Sequence, residues 1–249
     1  MRAVVKGIYA LWYRECKVFL RERSRLVSAV FLPLFWYFIF GRGVGSIART
    51  TVNYQQFIFP GFLVMTIIFS SLFNGAYIVW DKKVDFLKEV LITPLSRTTI
   101  FVGKVCGSMT DALLQATILL IIGYFLGMPY TPLAVLLTLA MLFLFAIGLV
   151  SLGLIIGSFL ESPEGFGLVS SFVVYPLFLL SGALYPLDQL PPWMTWLTHA
   201  DPATYAVDGL RRVLLHLSSH SYGFNTSVLL GFDLLLIWTG TWAFNRMKL

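Results

Sequence analysis

The longest uncharged stretch of the sequence runs from Ala112 to Leu160, where no Asp, Glu, Lys or Arg occurs. A single helix of that length, at about 1.5 Å per residue, would exceed the thickness of a bilayer about twofold. The sequence GMPYTP at 127–132 is typical of a tight turn and divides the stretch in two. The sequence therefore predicts two consecutive transmembrane helices, at about 105–126 and 133–160.

The composition extends this interpretation to the rest of the chain. Of its 249 residues, 58% are hydrophobic and 12% are charged, whereas roughly 25% of residues are charged in a typical soluble domain. We therefore predict an all-α membrane protein with six transmembrane helices, which form a single domain over residues 1–249. The other four spans are predicted at about 26–44, 57–80, 166–184 and 228–244.

Basic residues are distributed unevenly about these spans. Most of the 18 Lys and Arg residues lie in 1–25, 82–104 and 246–248, which would share one side of the membrane. The opposite side has only Arg42, Arg49, Arg211 and Arg212. The positive-inside rule then predicts that both termini are cytoplasmic. Because the net charge of +6 follows this rule, it does not indicate a nucleic-acid partner.

Residues 3–23 are predicted to form a basic amphipathic helix that lies in the membrane interface. Its apolar face contains Ile8, Leu11, Trp12 and Phe19. Its cationic face contains Arg14, Lys17 and Arg21. Such a helix either anchors the chain to the bilayer or binds a partner, and the pattern favours neither role.

A second polar stretch begins at Asp81. It has a helical period up to Ile92, with Val84, Leu87 and Leu91 forming an apolar stripe and Asp85 and Lys88 forming an i, i+3 pair. The helix is expected to end at Thr93-Pro94, because the residue before proline is disfavoured in the α region. A short helix with one apolar face suits the groove of a soluble partner, although a solvated connecting helix would have the same pattern.

The segment from Phe172 to Arg212 contains more regularly spaced apolar and turn-forming residues than an ordinary loop between two spans needs. After the turn-forming Ser181-Gly182, it contains a Trp-bearing segment and then an amphipathic segment. We predict two short re-entrant helices within 192–217, with Trp193 as an interface anchor and Asp208 paired with Arg212. Non-helical backbone at membrane depth requires cover by protein or a water-filled cavity, which indicates a transport pathway.

Several isolated side chains in the spans are also candidates. The aromatic face of the first span could line a pathway, although lipid-facing or interfacial packing is the favoured interpretation. Asn74 is expected to hydrogen-bond a neighbouring helix or to face the pathway. Asp111 is expected to pair with Lys104 or to snorkel, and Asp233 to lie near the outer end of the sixth span. The histidines lack metal-site spacing, so no metal is predicted.

These patterns together resemble the transmembrane permease subunits of the ABC-2 class of ATP-binding-cassette exporters. The most specific motifs are LITPLS at 91–96, which follows a charged helix, and LSGALYPL at 180–187, which is followed by LPPW at 190–193. Pro202, Asp208-Gly209 and Leu210-Arg211 complete the pattern, and the resemblance covers essentially the whole chain.

The resemblance implies a permease that pairs with a second copy of itself and with two ATPase subunits in a prokaryotic inner membrane. Arg14, Lys17 and Arg21 would contact the ATPase, and residues 81–95 would form the coupling helix. The coupling residues would be Asp81, Lys82, Lys83, Val84, Asp85, Leu87, Lys88, Glu89, Leu91, Thr93, Pro94 and Leu95. Lys82 and Lys83 replace the acid-rich sequence that is common in the family before this helix.

The resemblance also places a pathway at the dimer interface, between spans one, two and five. The lining and gate residues would be Phe35, Phe69, Phe73, Asn74, Phe172, Tyr175 and Phe178. The re-entrant segment would contribute Pro191, Trp193, Asp208, Arg211 and Arg212. The implied substrate is a drug-like, lipidic or glycan molecule.

No Gly-x-x-x-x-Gly-Lys-Ser/Thr loop occurs in the sequence, since Gly103-Lys104 is followed by valine. We therefore expect a chain that is not an enzyme and holds no cofactor itself, with ATP and Mg bound by the partner ATPase. A membrane-embedded enzyme would need His, Asp or Ser side chains clustered at membrane depth. The sequence offers only Asp111 and Asp233 there, and the two are far apart along the chain. An uncoupled channel or an assembly protein is the remaining alternative, and it would not need a coupling helix.

Overall fold

The computed structural model describes residues 2–44, 53–84, 95–187 and 190–246, and within these ranges the regular structure is helical, with no strand. The helices are α1 (Arg2–Arg21), α2 (Arg23–Gly43), α3 (Tyr54–Phe73), α4 (Ala76–Lys83), α5 (Arg97–Phe125), α6 (Pro132–Phe159), α7 (Pro163–Leu180), α8 (Pro192–Ala200), α9 (Pro202–Leu215) and α10 (Tyr222–Arg246).

Five helical segments in the described ranges are long and apolar enough to cross a membrane. They are Tyr54–Lys83, Arg97–Phe125, Pro132–Phe159, Pro163–Leu180 and Tyr222–Arg246. The predicted first span coincides with α2, of which Val30–Gly43 is an apolar part that is shorter than these five segments. A sixth span formed by α2 and the re-entry of α8 and α9 into the bilayer therefore stay predictions.

Several helix ends are fixed by local side chains and glycines. Ser96, Thr131 and Ser162 each accept a hydrogen bond from the backbone N–H three residues later, which caps α5, α6 and α7. Gly127 and Gly182 have φ of 83° and 72°, a region that favours glycine, and they let the chain leave α5 and α7 sharply.

Helix α3 is the centre of the bundle, since it packs against α2, α5, α6, α7 and α9. Residues 58–68 are all buried, as expected for a helix that is apolar on every side. Within the predicted span 57–80, the regular α-helical hydrogen bonding is interrupted at Asn74 and Gly75, but both residues keep a helical φ of −60°, and Tyr54–Lys83 is one apolar segment long enough to cross a membrane. A Cβ at Gly75 would overlap the Gly153 carbonyl of α6, so the interruption lies at a close approach of two backbones.

We expect Gly75→Ala to lower the apparent melting temperature of the detergent-solubilised protein. Overpacking of a close contact costs about 1–3 kcal/mol, because the backbones must separate. Gly167→Ala in α7 is the matched control, since a Cβ there meets no heavy atom within 4 Å. Equal melting temperatures for the two variants would contradict the close approach of α6 to this interruption.

Candidate functional site

A cluster of four charges, three of them buried, joins α1, α4 and α5. Lys104 Nζ lies 2.5 Å from Asp81 Oδ2 and 3.3 Å from Glu15 Oε1. The Arg14 guanidinium lies 3.0 Å from Asp81 Oδ1 and 2.8 Å from Glu15 Oε1. The side chains of Lys104, Asp81 and Glu15 are 3%, 7% and 8% exposed, whereas that of Arg14 is 34% exposed. We call these four residues the charge cluster, and their opposite charges balance one another.

The cluster depends on a tight contact between α1 and α5. Ideal Cβ atoms at Gly103 and Gly107 would lie 2.8 Å from Leu11 Cδ1 and 2.5 Å from Glu15 Cβ, so these glycines make room for α1. The indole N–H of Trp12 donates to Thr110 Oγ1 at 3.0 Å. The N-terminal helix is therefore packed against the bundle along one face.

The predicted ATPase-contacting residues of α1 separate into two groups. Lys17 and Arg21 are exposed, and the ammonium of Lys17 lies 4.6 Å from the centroid of the Tyr13 ring. Arg14 instead contributes to the charge cluster. Because the Arg14 side chain is still 34% exposed, its contact with a partner stays a prediction.

The predicted coupling segment is only partly within the described residues. Asp85, Leu87, Lys88, Glu89, Leu91, Thr93 and Pro94 lie outside them. At its beginning, Lys83 and Val84 are exposed. At its end, Leu95 is partly buried, and its Cδ2 lies 2.5 Å from an ideal Cβ on Gly7 of α1.

Asp81 and Lys82 have internal contacts instead of presenting their charges to a partner. Asp81 belongs to the charge cluster. Lys82 Nζ donates to three carbonyls at the end of α6, including that of Ser158 at 2.6 Å. These carbonyls have no partner within their own helix, and a cation is favourable there. Together the two side chains fix the last turn of α4 to α1, α5 and α6.

The sequence did not predict this cluster. Pairing with Lys104 was one of the two alternatives expected for Asp111, but the partners of Lys104 are Asp81 and Glu15. One signal was available in α1, where Glu15 stands four residues from both Leu11 and Phe19 on the buried face. An acid on an apolar stripe requires a buried cation.

A cavity of about 560 Å³ opens between α2, α3, α4 and α5, and we call it the lateral groove. Phe69, Phe73 and Trp80 form its aromatic wall. Glu22 Oε2 accepts a hydrogen bond from the Tyr77 hydroxyl at 2.6 Å beside that wall. The lining residues from α2 are Ser28 and Leu32, and the remaining ones are Ser70, Ala76 and Gln115.

Only some of the predicted pathway residues come together. The rings of Phe69 and Phe73 are 6.2 Å apart, and Tyr175 of α7 meets Phe69 at the same centroid distance. Phe178 is buried against Phe62, with the ring centroids 6.1 Å apart. Phe69, Phe73 and Tyr175 therefore form an aromatic cluster between α3 and α7, and its role in a pathway stays a prediction.

The other three predicted pathway residues lie apart from it. Asn74 is buried, and its side-chain amide donates to the Ser108 carbonyl at 3.1 Å, which joins α3 to α5. A hydrogen bond to a neighbouring helix is one of the two roles that were predicted for Asn74. Phe172 is 80% exposed on α7. Phe35 contacts Phe31 within an apolar patch on α2, with the ring centroids 5.9 Å apart.

At the other end of the bundle, Arg211 of α9 is 8% exposed. Its Nη2 donates to the carbonyls of Gly182 and Ala183 at 2.6 and 3.4 Å, and its guanidinium lies 3.7 Å from the centroid of the Phe57 ring. Burial lowers the pKa of Arg211 to about 10, so the side chain stays charged at neutral pH. The Tyr54 hydroxyl donates to the neighbouring Leu184 carbonyl at 2.9 Å. This Arg211 anchor joins α9 to α3 and to the turn after α7.

The predicted pair between Asp208 and Arg212 was wrong. Asp208 accepts from the backbone N–H groups of Ser219 and His220 at 2.7 and 3.0 Å, and from Asn225 Nδ2 at 2.9 Å. Arg212 donates to Ser218 Oγ and to the His220 carbonyl. Both charges bind the loop that follows α9, because the chain reverses at His216, which has a φ of 57°.

The remaining candidates of this region are at the surface or in the middle of a helix. Pro191 precedes α8 as its N-cap, and Trp193 is 65% exposed, as an interface anchor would be. Asp233 was expected near the outer end of its span, but it lies midway along α10, is 4% exposed and packs against Gly148. Within the described residues, no three His, Cys, Asp or Glu side chains are arranged to hold a metal ion.

Comparison with known proteins assigns the chain to one family. The profile of the ABC-2 type transporter matches residues 6–215. The ycf38 protein of Cyanophora paradoxa, which carries the name of a transport permease, is 29% identical over 204 residues, or 80% of this chain and 70% of that protein. The inner membrane transport permease YadH of Escherichia coli (strain K12) is 29% identical over 215 residues, covering 82% of this chain and 81% of YadH.

A third relative has a more specific name. YbhR of Escherichia coli (strain K12), named "Probable multidrug ABC transporter permease", is 29% identical over 167 residues. The match covers 66% of this chain and 45% of YbhR.

We expect Lys104→Met to lower the apparent melting temperature strongly. The substitution leaves two buried carboxylates with one guanidinium, and breaking a buried ion pair in this way costs about 3–5 kcal/mol. Lys6→Met is the control, because Lys6 is an exposed lysine of α1. Melting temperatures that fall equally in both variants would show that the charge cluster does not stabilise the fold.

We expect Arg211→Lys to release the turn after α7. A lysine retains the charge but loses the planar fork, and hydrogen bonds to charged groups are worth about 1.5–3 kcal/mol. Hydrogen–deuterium exchange of residues 181–187 should rise in this variant and stay at the wild-type level in Arg212→Lys, whose side chain is exposed. Unchanged exchange in Arg211→Lys would contradict the anchor.

Proposed function

The chain belongs to the ABC-2 type transporter family, and from this premise we propose that it is the membrane-spanning permease subunit of an ABC exporter that separate ATPase subunits drive. In this proposal two copies of the chain form the substrate pathway, and two ATPase subunits bind ATP and Mg beneath them. Both termini are cytoplasmic, which the distribution of Lys and Arg supports.

The observation that carries the proposal is the connection of residues 81–95 to the bundle. A partner can drive a membrane domain only through an element that passes movement on without bending. Asp81 and Lys82, the first two residues of this segment, are bonded to α1, α5 and α6. Such a connection supports a segment that receives force, whereas a solvated connecting loop needs no buried ion pairs.

The same contacts suggest how movement would reach the pathway. Because α4 follows the interruption at Asn74 and Gly75, it can tilt relative to α3 while the core of α3 stays packed. A shift of α4 would move Trp80 and Tyr77 relative to Phe69 and so change the shape of the lateral groove. We propose that nucleotide binding by the ATPase moves α4 and the attached α1 together.

The substrate class of the proposal is an amphipathic, drug-like molecule, with lipids and glycans as the other members of the expected range. The aromatic contacts among Phe69, Phe73 and Tyr175 support it, because aromatic faces bind apolar and planar groups. The multidrug name of YbhR points in the same direction.

We expect Leu87→Asp to abolish association with a cassette-type ATPase while the permease still inserts into the membrane. The substitution places a charge in the apolar stripe of Val84, Leu87 and Leu91, which would face a groove of the ATPase. The measurement is co-purification from mild detergent, with the ATPase recognised by its phosphate-binding loop and quantified against the permease. Leu217→Asp, at a partly exposed leucine after α9, is the control.

Two outcomes would contradict the proposal. If no cassette ATPase accompanies the wild-type chain, an uncoupled channel or an assembly protein becomes the better interpretation. If the ATPase accompanies Leu87→Asp in the same amount as the wild type, residues 81–95 are not the coupling element.

A further inference from the structure

We propose that the outward face of α10 binds one anionic phospholipid of the cytoplasmic leaflet, with the lipid phosphate on the Arg246 guanidinium and the acyl chains along Leu235 and Trp238. The lipid is a bound partner of the chain and is separate from any molecule that the chain transports. The inference takes from the proposed function only the cytoplasmic position of this end of α10, and it needs neither an ATPase nor a second copy of the chain.

One exposed face of α10 has the polarity profile of a lipid leaflet. Leu235, Trp238, Trp242 and Arg246 follow one another at intervals of three, four and four residues, which places them on the same side of the helix. Leu235, Trp238 and Trp242 are 58%, 71% and 48% exposed, and Arg246 in the last turn is exposed as well. The face therefore passes from an aliphatic side chain through two indoles to a cation, as the side of a helix in one leaflet should.

The length of this face also suits a single leaflet. At about 1.5 Å per residue, the rise from Leu235 to Arg246 is about 16 Å. The hydrocarbon core of a bilayer is about 30 Å thick, so one leaflet contributes about half of that. A phospholipid whose phosphate lies at Arg246 can therefore extend its acyl chains to the level of Leu235.

The guanidinium of Arg246 is positioned by an aromatic ring. Its Cζ lies 4.5 Å from the centroid of the Trp242 ring. Within the described ranges Arg246 forms no ion pair with a carboxylate. A guanidinium has five N–H donors in a planar fork that matches the oxygens of a phosphate. Trp242 thus holds in the membrane interface a cation whose charge is not neutralised by an acid of the described chain.

A neighbouring arginine removes an obstacle to an anion at this position. The carbonyl end of a helix carries partial negative charge and opposes an anion. Arg97 of α5 covers this end of α10, because its Nη1 donates to the carbonyls of Phe244 and Asn245 at 3.1 and 3.0 Å. Two guanidinium groups therefore lie at the end of α10, and their field attracts an anionic headgroup.

Helix α7 shows that an exposed apolar face alone does not define such a site. Leu168 and Phe172 are exposed on α7, as Leu235 and Trp238 are on α10. The charged residue in the first turn of α7 is the exposed Glu164, which would repel an anionic headgroup. Charge complementarity therefore selects the face of α10 for an anionic lipid.

The test measures lipid contact at Trp238 itself. Bromine atoms on acyl chains quench the fluorescence of a tryptophan that the lipid touches. The full chain is reconstituted in phosphatidylcholine bilayers in which a rising fraction is replaced by brominated phosphatidylglycerol or by brominated phosphatidylcholine with the same chains. The signal of Trp238 is the difference between each protein and the same protein with Trp238→Phe. We expect half-maximal quenching at an about fivefold lower fraction of phosphatidylglycerol, as one interfacial cation allows.

Three variants locate the selectivity. Arg246→Gln should reduce the preference for phosphatidylglycerol to within about twofold, because the amide keeps N–H donors but loses the charge. Arg246→Lys should retain a preference that is reduced about twofold, because the ammonium keeps the charge but lacks the planar fork. Arg42→Gln, at an exposed arginine in the last turn of α2, is the matched control and should keep the fivefold preference.

Three results would overturn the inference. Equal quenching by the two lipids in the wild type would show lipid contact without a headgroup site. A Trp238 signal that neither lipid quenches would show that protein covers this face, as in an assembly with a second copy. A preference that persists in Arg246→Gln would place the selectivity elsewhere on the chain. If Arg246→Gln does not fold, the wild type and Arg246→Lys still decide the matter.

The lipid site and the proposed exporter can fail separately. If no cassette ATPase accompanies the chain while phosphatidylglycerol is preferred at Trp238, the exporter is rejected and the lipid site is retained. If the ATPase accompanies the chain and the two lipids quench Trp238 equally, the lipid site alone is rejected.

Discussion

The architecture depends on the neutralisation of the buried charges of Lys104, Asp81 and Glu15. A carboxylate or an ammonium that is removed from water costs several kcal/mol unless an opposite charge accompanies it. Lys104 can therefore be buried only where α1, α4 and α5 bring Asp81 and Glu15 to it, and the partly exposed Arg14 supplies the second cation. Helices α1 and α4 are consequently joined, and neither can shift alone without separating an ion pair. The N-terminal helix is thus part of the bundle.

The interruption between α3 and α4 lies where two backbones meet. A Cβ on Gly75 would overlap the Gly153 carbonyl of α6, and the core around α3 is densely packed and resists deformation. Beyond Asn74 and Gly75, α4 has its own contacts, through Asp81 to the charge cluster and through Lys82 to the end of α6. The polar contacts that hold α4 are therefore separate from the apolar packing that holds α3.

The sequence predicted most of the helices and few of the contacts, for a physical reason. Helix limits depend on neighbouring residues, such as the capping Ser96, Thr131 and Ser162, and a single sequence contains that information. Ion pairs join distant positions: Lys104 and Glu15 are 89 residues apart. Proximity in the sequence favoured Asp111 for Lys104 and Arg212 for Asp208, but the fold offered each charge a partner from another helix or a loop. The same limit applies to Gln115, since only the assembled helices place it at the groove.

The two ends of the bundle stabilise charge differently. Beside α1, Lys104 and Arg14 meet carboxylates and Lys82 meets the carbonyls that end α6, whereas Arg211 at the other end donates to carbonyl oxygens and lies against an aromatic face. Carbonyl dipoles and ring faces stabilise a cation without a full opposite charge. Because Arg211 is 8% exposed, separating it from these partners would leave a buried guanidinium without compensation. Both ends of the bundle therefore resist rearrangement, although only one of them is joined by ion pairs.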